Sequence, residues 1–252
     1  MVDPWFLGVA IPAVLLTGID KGGFAGGAGV LIVPLLALVV SPLQGAGIML
    51  PILLLMDLIV LKAYWRQWDR PTLRLIAIGG LFGLGVGTLT AGMLTEAAVR
   101  LLLGVLALAF ALNYWFGPKQ FAARAASVPK GLFWSTLGGF GNFIAHAGGP
   151  ALNIYLVPLR LEKMAFLGTA TAFWALLNYA KLPSYIALGM VTMDNFRTAL
   201  LLLPFAPLGV WIGYRLQGRV STAGFYRVVY VMMTVVGAKL AWDGARALLA
   251  AA

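Results

Sequence analysis

The repeated occurrence of long apolar segments constrains this chain more than any other feature. A bilayer core needs about 20 predominantly apolar residues per helical crossing, and hydrophobic residues make up 62% of the 252-residue sequence while charged residues make up only 10%. We therefore predict one all-α integral membrane domain covering residues 1–252, with the lipid bilayer as its surroundings. The predicted full crossings are 44–64, 73–94, 98–116, 165–187, 196–216 and 223–243.

Two further apolar regions, 4–40 and 130–160, are interrupted by clusters of glycine. The clusters lie at 22–29 in the first region, and at 138–142 and 148–150 in the second. Each glycine inside a helix costs about 1 kcal/mol relative to alanine, and irregular backbone at membrane depth is tolerated only where it is buried in protein or lines a cavity. We predict two hairpins of half-length helices, broken at glycine-rich tips that converge near the membrane centre.

The two halves of the sequence resemble each other. At an offset of 121 residues Gly27 matches Gly148, Tyr64 matches Tyr185 and Asp57 falls on Asn178, and the offset later becomes 126. The first repeat covers about 4–116 and the second about 130–246. Because a hairpin returns to its starting side and three crossings follow, we predict two inverted repeats, each a broken helical hairpin plus three transmembrane helices.

The distribution of basic residues predicts the topology. The loops at 40–45, 93–98 and 186–195 contain no Lys or Arg. By the positive-inside rule the basic loops are cytoplasmic and both termini are outside, so the net charge of +10 reflects topology and no nucleic acid partner is expected. The basic loops carry Lys62, Arg66, Arg70 and Arg74; Lys119, Arg124 and Lys130; Arg160 and Lys163; and Arg215 and Arg219.

The segments 22–35 and 148–156, which read GGFAGGAGVLIVPL and GGPALNIYL, resemble the paired signatures of the TauE/SafE family. That family comprises exporters of sulfite and organosulfonates and related permeases. The resemblance extends over nearly the full length. It implies a multi-pass transporter of a small anion in the cytoplasmic (inner) membrane of a prokaryote, with a sulfur oxyanion such as sulfite or an organosulfonate as the leading substrate.

A substrate site is expected at the hairpin tips, because helix N-termini offer free N–H groups and partial positive charge to an anion. The glycines there could instead serve close helix packing. Lys21 could snorkel or pair with Asp20, and His146 could be an ordinary interior residue; the asparagines could cap broken helices. The predicted substrate-binding residues are Lys21, Gly26, Gly27, Asn142, His146, Gly148, Gly149 and Asn153.

Three polar residues inside predicted crossings, Asp57, Asn178 and Lys181, are candidates for coupling or gating. A carboxylate at the membrane centre costs about 2.5–3.5 kcal/mol on insertion scales, so Asp57 needs a partner. One interpretation is a structural Asp57–Lys181 pair that joins the repeats, and the other is proton-linked transport through Asp57. A direct contact between Asp57 and the anion is disfavoured by charge repulsion.

Other classes of function fit the sequence less well. The chain has one histidine and no cysteine, and it lacks the H-E-x-x-H and G-x-S-x-G patterns, so catalytic residues, metal ligands and cofactors are not predicted and an intramembrane enzyme is disfavoured. A passive anion channel remains an alternative to a carrier. The sequence leaves the direction of transport, the coupling ion, proton coupling and the oligomeric state open.

Overall fold

The computed structural model describes residues 3–24, 28–93, 95–117, 125–216, 219 and 221–251, and its elements within these ranges are helices and turns with no β-strand. The helices are α1 (Pro4–Gly23), α2 (Ile32–Leu36), α3 (Pro42–Ala63), α4 (Arg70–Ala91), α5 (Glu96–Phe116), α6 (Val128–Ala145), α7 (Gly149–Leu156), α8 (Lys163–Ala187), α9 (Met193–Leu202), α10 (Phe205–Leu216) and α11 (Thr222–Ala251). Single 3-10 turns, Ala28–Leu31 and Val157–Leu159, precede α2 and follow α7.

Side-chain caps set the start of several helices. Asp3, Ser41 and Asp69 each accept a hydrogen bond from a backbone N–H in the first turn, and a proline follows within two residues of each cap. Proline is favoured at this position because its missing N–H is one that the helix could not satisfy internally. Thr95 and Thr192 cap α5 and α9 in the same way. Of these helices, α3, α4, α5 and α9 begin two or three residues before the predicted apolar spans.

The predicted crossings correspond to helices, with two differences. In the described residues five helices, α1, α3, α4, α5 and α11, are long and apolar enough to cross a membrane, and α9 with α10 makes a sixth if this pair is one span. That pair is bent by 44°, since Pro204 between the helices cannot donate a ladder hydrogen bond. The 25-residue α8 matches the predicted span 165–187 but is less apolar.

The hairpin prediction is correct in part. Region 4–40 folds as α1, a 3-10 turn and α2, and region 130–160 folds as α6, α7 and a 3-10 turn. The arms are not all half-length, because α1 has 20 residues and α6 has 18. By itself, α1 is long and apolar enough to cross a membrane. The glycines of 138–142 were also wrongly predicted as a break. They lie inside α6, and the chain turns at residues 146–148.

Glycine-mediated contacts explain why these helical glycines are tolerated. A Cβ on Gly139 of α6 would lie 2.0 Å from the carbonyl oxygen of Gly80 on α4, and a Cβ on Gly18 of α1 would lie 2.8 Å from the backbone of Gly209 on α10. A larger side chain at these positions would hold the two backbones apart, whereas glycine lets them approach closely. In this way α6 lies against α4 and α1 lies against α10, while α3 contacts α8 and α5 contacts α11.

We expect two neighbouring glycines of α4 to respond oppositely to alanine. A Cβ on Gly83 would lie 2.0 Å from the carbonyl oxygen of Thr136, whereas a Cβ on Gly85 meets no atom within 4 Å. Gly83→Ala should therefore lower the free energy of unfolding by about 1–3 kcal/mol through overpacking, while Gly85→Ala should be neutral or stabilising by up to about 1 kcal/mol. Thermal unfolding of the two purified variants in detergent tests this, and equal melting temperatures would contradict the packing of α4 on α6.

Candidate functional site

Polar and charged side chains are concentrated in the interior where α1, α3, α6 and α8 meet. A fully buried charged group is costly in protein or lipid unless it is paired and hydrogen-bonded. Each charged member of the cluster therefore needs partners. Its buried members are Thr17, Asp20, Asp57, Asn142, His146, Asn178 and Lys181.

Asp57 of α3 is held on both carboxylate oxygens. Lys21 of α1 forms an ion pair with Oδ1, and Asn178 of α8 donates from Nδ2 to Oδ2 at 2.6 Å. Asp57 is only 1% exposed, and the Lys21 side chain is 11% exposed. The expected Asp57–Lys181 pair is therefore wrong, and so is the alternative that Lys21 snorkels or pairs with Asp20. The carboxyl group of Asp57 is instead paired with Lys21 of the first hairpin.

Lys181 of α8, which is 0% exposed, has three acceptors around its Nζ. These are the backbone oxygen of Asn142 at 3.1 Å, the Oδ1 atom of Asn142 at 2.6 Å and the Nδ1 atom of His146 at 2.6 Å. An ammonium group has three N–H donors and no acceptor. The three acceptors match the three donors of an ammonium group, and these contacts fix the end of α6 to α8.

His146 forms the corner between α6 and α7. It ends α6 in the left-handed conformation, with φ of 54°, which is uncommon for a residue with a Cβ. Its Nε2 atom lies 3.1 Å from the backbone oxygen of Ala46 on α3. Because a carbonyl can only accept, Nε2 carries the proton and Nδ1 is free to accept from Lys181. Protonation of Nδ1 beside a protonated Lys181 would put two donors face to face, so His146 and Lys181 cannot both be charged in this contact.

Two equivalent tyrosines fasten the two long hairpin arms to α3 and α8. Tyr64, at the end of α3, donates to the backbone oxygen of Gly22 at 3.4 Å, and Tyr185 of α8 donates to the backbone oxygen of Phe143. Both tyrosines are buried. Each long arm is thus tied, close to its corner, to the crossing that follows its hairpin.

A small cavity lies between these groups. About 20 Å³ is open to the centres of water-sized molecules, which is roughly room for one water. Two buried polar atoms of its lining, Nε1 of Trp174 and Oδ1 of Asn178, have no hydrogen-bond partner among the described residues. The lining residues are Thr17, Asp20, Lys21, Gly29, Ile32, Leu53, Asn142, His146, Gly149, Trp174 and Asn178.

The structure brings together part of the predicted substrate site. Lys21, Asn142, His146 and Gly149 line the cavity, joined by Asn178, which was predicted for coupling or gating. The two hairpins do meet there, because a Cβ on Gly29 would lie 3.3 Å from the backbone oxygen of His146. Asp57 and Lys181 do not line the cavity but hydrogen-bond to lining residues, Asp57 to Asn178 and Lys181 to Asn142.

Other predicted site residues are not placed there. Gly26 and Gly27 lie outside the described residues. Gly148 does not line the cavity; a Cβ on it would lie 2.1 Å from the backbone oxygen of Gly138, so close packing explains this glycine. Asn153 is half-buried and away from the cavity. The first hairpin also offers no substantial helix N-terminus, since α2 has only five residues.

Thr17, Asp20 and Trp174 were missed by the sequence prediction. Thr17 lies one turn before Lys21 on α1, and Trp174 lies one turn before Asn178 on α8, so each shares a helix face with a predicted residue. Tryptophan in membrane helices is usual at the interfaces. Trp174, in the middle of a predicted crossing, was therefore the available signal.

The fold and the site define a multi-pass helical membrane protein with a buried polar site between two broken hairpins. Residues 10–240 match the family described as Sulfite exporter TauE/SafE, and the chain belongs to this family. It is thus a membrane transporter of the sulfite-exporter type, and the resemblance found in segments 22–35 and 148–156 is confirmed.

Curated proteins give a much shorter match. Over 115 residues the chain is 27% identical to proteins named Probable quinol oxidase subunit 1 of Staphylococcus aureus, among them those of strains USA300 and COL. The match covers 43% of this chain but only 17% of those proteins, so it carries no conclusion about activity. No solved structure gives a significant match.

We expect the Lys21–Asp57 pair to show strong energetic coupling. Lys21→Met or Asp57→Asn alone leaves a buried charge without its partner and should cost about 3–5 kcal/mol of unfolding free energy, whereas the double variant should cost about 0.5–3 kcal/mol less than the sum of the single variants. Lys239→Met, which removes an exposed pair with Asp243, is the control and should cost less than about 1 kcal/mol. Unfolding in detergent measures all four variants, and additive losses would show that the pair is not formed.

Proposed function

We propose that this protein is a secondary transporter that moves a small sulfur oxyanion, such as sulfite or an organosulfonate, across the cytoplasmic membrane of a prokaryote. The observation that carries the proposal is the cavity beside Lys21, where hydrogen-bond donors from both hairpins and from α8 converge. Family membership supports a sulfur compound as the substrate. The substrate-binding residues proposed are Lys21, Asn142, His146, Gly149, Trp174 and Asn178.

The donors have the chemistry that an oxyanion requires. Lys21 supplies a cation, and Trp174 supplies an indole N–H that has no partner among the described residues. The Oδ1 atom of Asn142 accepts from Lys181, which turns its amide nitrogen to the other side of the group. The first turn of α7 begins at Gly149 in the lining, and the N–H groups of Gly149 and Ala151 lack partners within the helix. Charge-assisted hydrogen bonds of this kind are the stronger ones.

The size of the cavity favours a carrier over a passive channel. A space for roughly one water is smaller than an oxyanion with three oxygens around sulfur, so the observed conformation is contracted and the hairpins must separate to admit the substrate. Alternating access moves such gates around a central site. An enzymatic function finds no support in the site, where Lys181 and Asp57 are both occupied by structural partners.

We further propose that the two halves are inverted repeats. The contacts support an exchange symmetry: α1 lies on α10 as α6 lies on α4, while α3 pairs with α8 and α5 with α11. The bonds from Tyr64 to Gly22 and from Tyr185 to Phe143 are related by the same 121-residue offset. On this architecture the paired hairpin corners lie near the membrane centre.

Charge balance argues for proton coupling. If both carboxyls are ionised and both lysines are protonated, the charges of Asp20 and Asp57 balance those of Lys21 and Lys181. Binding of a monoanion then leaves the cluster with one excess negative charge. An anion that draws Lys21 away also leaves Asp57 with Asn178 alone. Protonation of Asp57 on Oδ1, the oxygen that Lys21 leaves, restores neutrality and keeps Oδ2 as the acceptor for Asn178. This is favourable because buried unpaired charge is costly. We propose one proton taken up on Asp57 per monoanion.

Flux in proteoliposomes tests transport and coupling together. Wild-type protein should accumulate sulfite when an inward proton gradient is imposed, because anion and proton bind as a neutral set. Asp57→Asn should lose gradient-driven accumulation at least about tenfold yet retain sulfite exchange across the membrane, since it cannot take up the proton. Exchange serves as the control for folding and reconstitution, and Lys239→Met should match the wild type in both assays. Gradient-driven accumulation by Asp57→Asn would remove Asp57 as the proton site.

Cysteine labelling tests the proposed topology, and the natural sequence has no cysteine to interfere. Arg70 and Met193 are exposed residues that each begin a helix, α4 and α9 respectively. The positive-inside rule puts Arg70 in the cytoplasm and Met193 outside. Met193→Cys should react with an impermeant maleimide in intact cells, and Arg70→Cys only after permeabilisation. The reverse pattern would contradict the assigned orientation, and labelling of both from outside would contradict the inverted repeats.

A further inference from the structure

The orientation of the Asn178 amide is fixed by its neighbour. Its Nδ2 atom donates to Oδ2 of Asp57 at 2.6 Å. The other carboxylate oxygen of Asp57 is paired with Lys21, and a carboxylate oxygen can only accept a hydrogen bond. The amide oxygen must therefore lie on the opposite side. That oxygen is buried, belongs to a residue that is 2% exposed, lines the cavity and has no hydrogen-bond partner in the described part of the chain.

An unpaired acceptor is an unusual feature for an anion site. A negatively charged oxygen placed against a carbonyl oxygen is repelled, and leaving a buried acceptor unsatisfied has its own cost. Both costs disappear if the bound anion carries a hydrogen-bond donor. Trp174, one turn away on the same face of α8, presents the opposite character, an N–H donor without a partner, which suits an anionic oxygen.

We propose that Asn178 selects a singly charged oxyanion that carries an O–H group, with hydrogensulfite, HO–SO2⁻, as the sulfur species that fits. Its hydroxyl donates to Oδ1 of Asn178, while its two other oxygens accept from Trp174 and Lys21. The sulfite dianion lacks the donor and adds a second negative charge to a buried cluster. This inference rests on the proposed transport function and assigns Asn178 as its specificity-determining residue.

Two anions of the same shape provide the test. Methanesulfinate, CH3–SO2⁻, replaces the hydroxyl of hydrogensulfite by a methyl group and stays singly charged as the pH rises. Flux of both anions is measured in proteoliposomes over a pH series at equal total concentration. The wild type should prefer hydrogensulfite by at least about tenfold in kcat/KM, since a site that hydrogen-bonds a hydroxyl rejects an analogue without it.

The ratio of the two fluxes isolates the substrate's own proton. Asp20, Lys21, Asp57, His146 and Lys181 are the titratable groups around the cavity, and their titration acts on both anions. The sulfite-to-methanesulfinate ratio should therefore fall with rising pH as hydrogensulfite loses its proton. A ratio near one, or one that is independent of pH, overturns the proposal even if no variant can be purified.

Two substitutions on α8 separate the acceptor from the donor. Asn178→Leu removes the acceptor and should bring the preference for hydrogensulfite to within about twofold of one. Trp174→Phe, the matched control, removes a donor that both anions use, so it should lower both fluxes and keep the ratio. An unchanged ratio in Asn178→Leu overturns the role of Asn178. Failure of the wild type to transport either anion would instead remove the proposed function itself, and this inference with it.

Discussion

The carboxylate of Asp57 is the constraint around which the interior is arranged. A charge in an apolar environment is stable only when its oxygens are paired, and Asp57 obtains its partners from two other helices, Lys21 on α1 and Asn178 on α8. Lys181, on α8 one turn beyond Asn178, is satisfied by the end of α6. The polar contacts thus join the first hairpin to α3, α3 to α8, and α8 to the second hairpin in one continuous chain.

Close helix packing brings these partners within reach. Gly18 and Gly22, close to Lys21, allow α1 to lie directly on α10, where a Cβ on Gly22 would be 2.3 Å from the backbone oxygen of Val210. Both helices also contact α3, which carries Asp57. Gly139 has the same effect for α6 on α4, three residues before Asn142. Packing glycines and polar site residues are interspersed along the same two helices, α1 and α6. The positions of the polar side chains therefore depend on the close packing of these helices.

The fold could be predicted from the sequence further than the site. Apolar length predicts where helices cross, and Asp3, Ser41 and Asp69 explain where they begin. A glycine cluster does not reveal whether it breaks a helix or packs it, since both need the missing Cβ, and 138–142 was misassigned for this reason. Gly83 and Gly87 of α4 lie in close contact with α6, whereas Gly85 and Gly92 meet no atom within 4 Å.

Partner choice within the site was beyond the sequence for a related reason. Asp57 had two lysines within predicted membrane segments available, Lys21 and Lys181, and sequence spacing contains no information on which helix lies closer. His146 and Asn142 satisfy Lys181, which leaves Lys21 for Asp57. That assignment follows from the turn at 146–148, whose left-handed residue was not predictable from a single histidine in an apolar run.

The proposed repeats carry an asymmetric site on a symmetric scaffold. At the 121-residue offset the equivalents of Lys21 and Asp57 are Asn142 and Asn178, so the ion pair of the first half corresponds to neutral amides in the second. The tyrosine bonds to Gly22 and Phe143, by contrast, are kept in both halves. Opening that separates the first hairpin from α3 must therefore break an ion pair, whereas movement of the second hairpin must release Lys181 from Asn142 and His146. In the proposed mechanism, an anion that binds Lys21, together with a proton on Asp57, removes the cost of the first movement only. The proposed coupling is then a property of the first hairpin, and the second half adds Trp174 and its amides to the proposed recognition of the substrate.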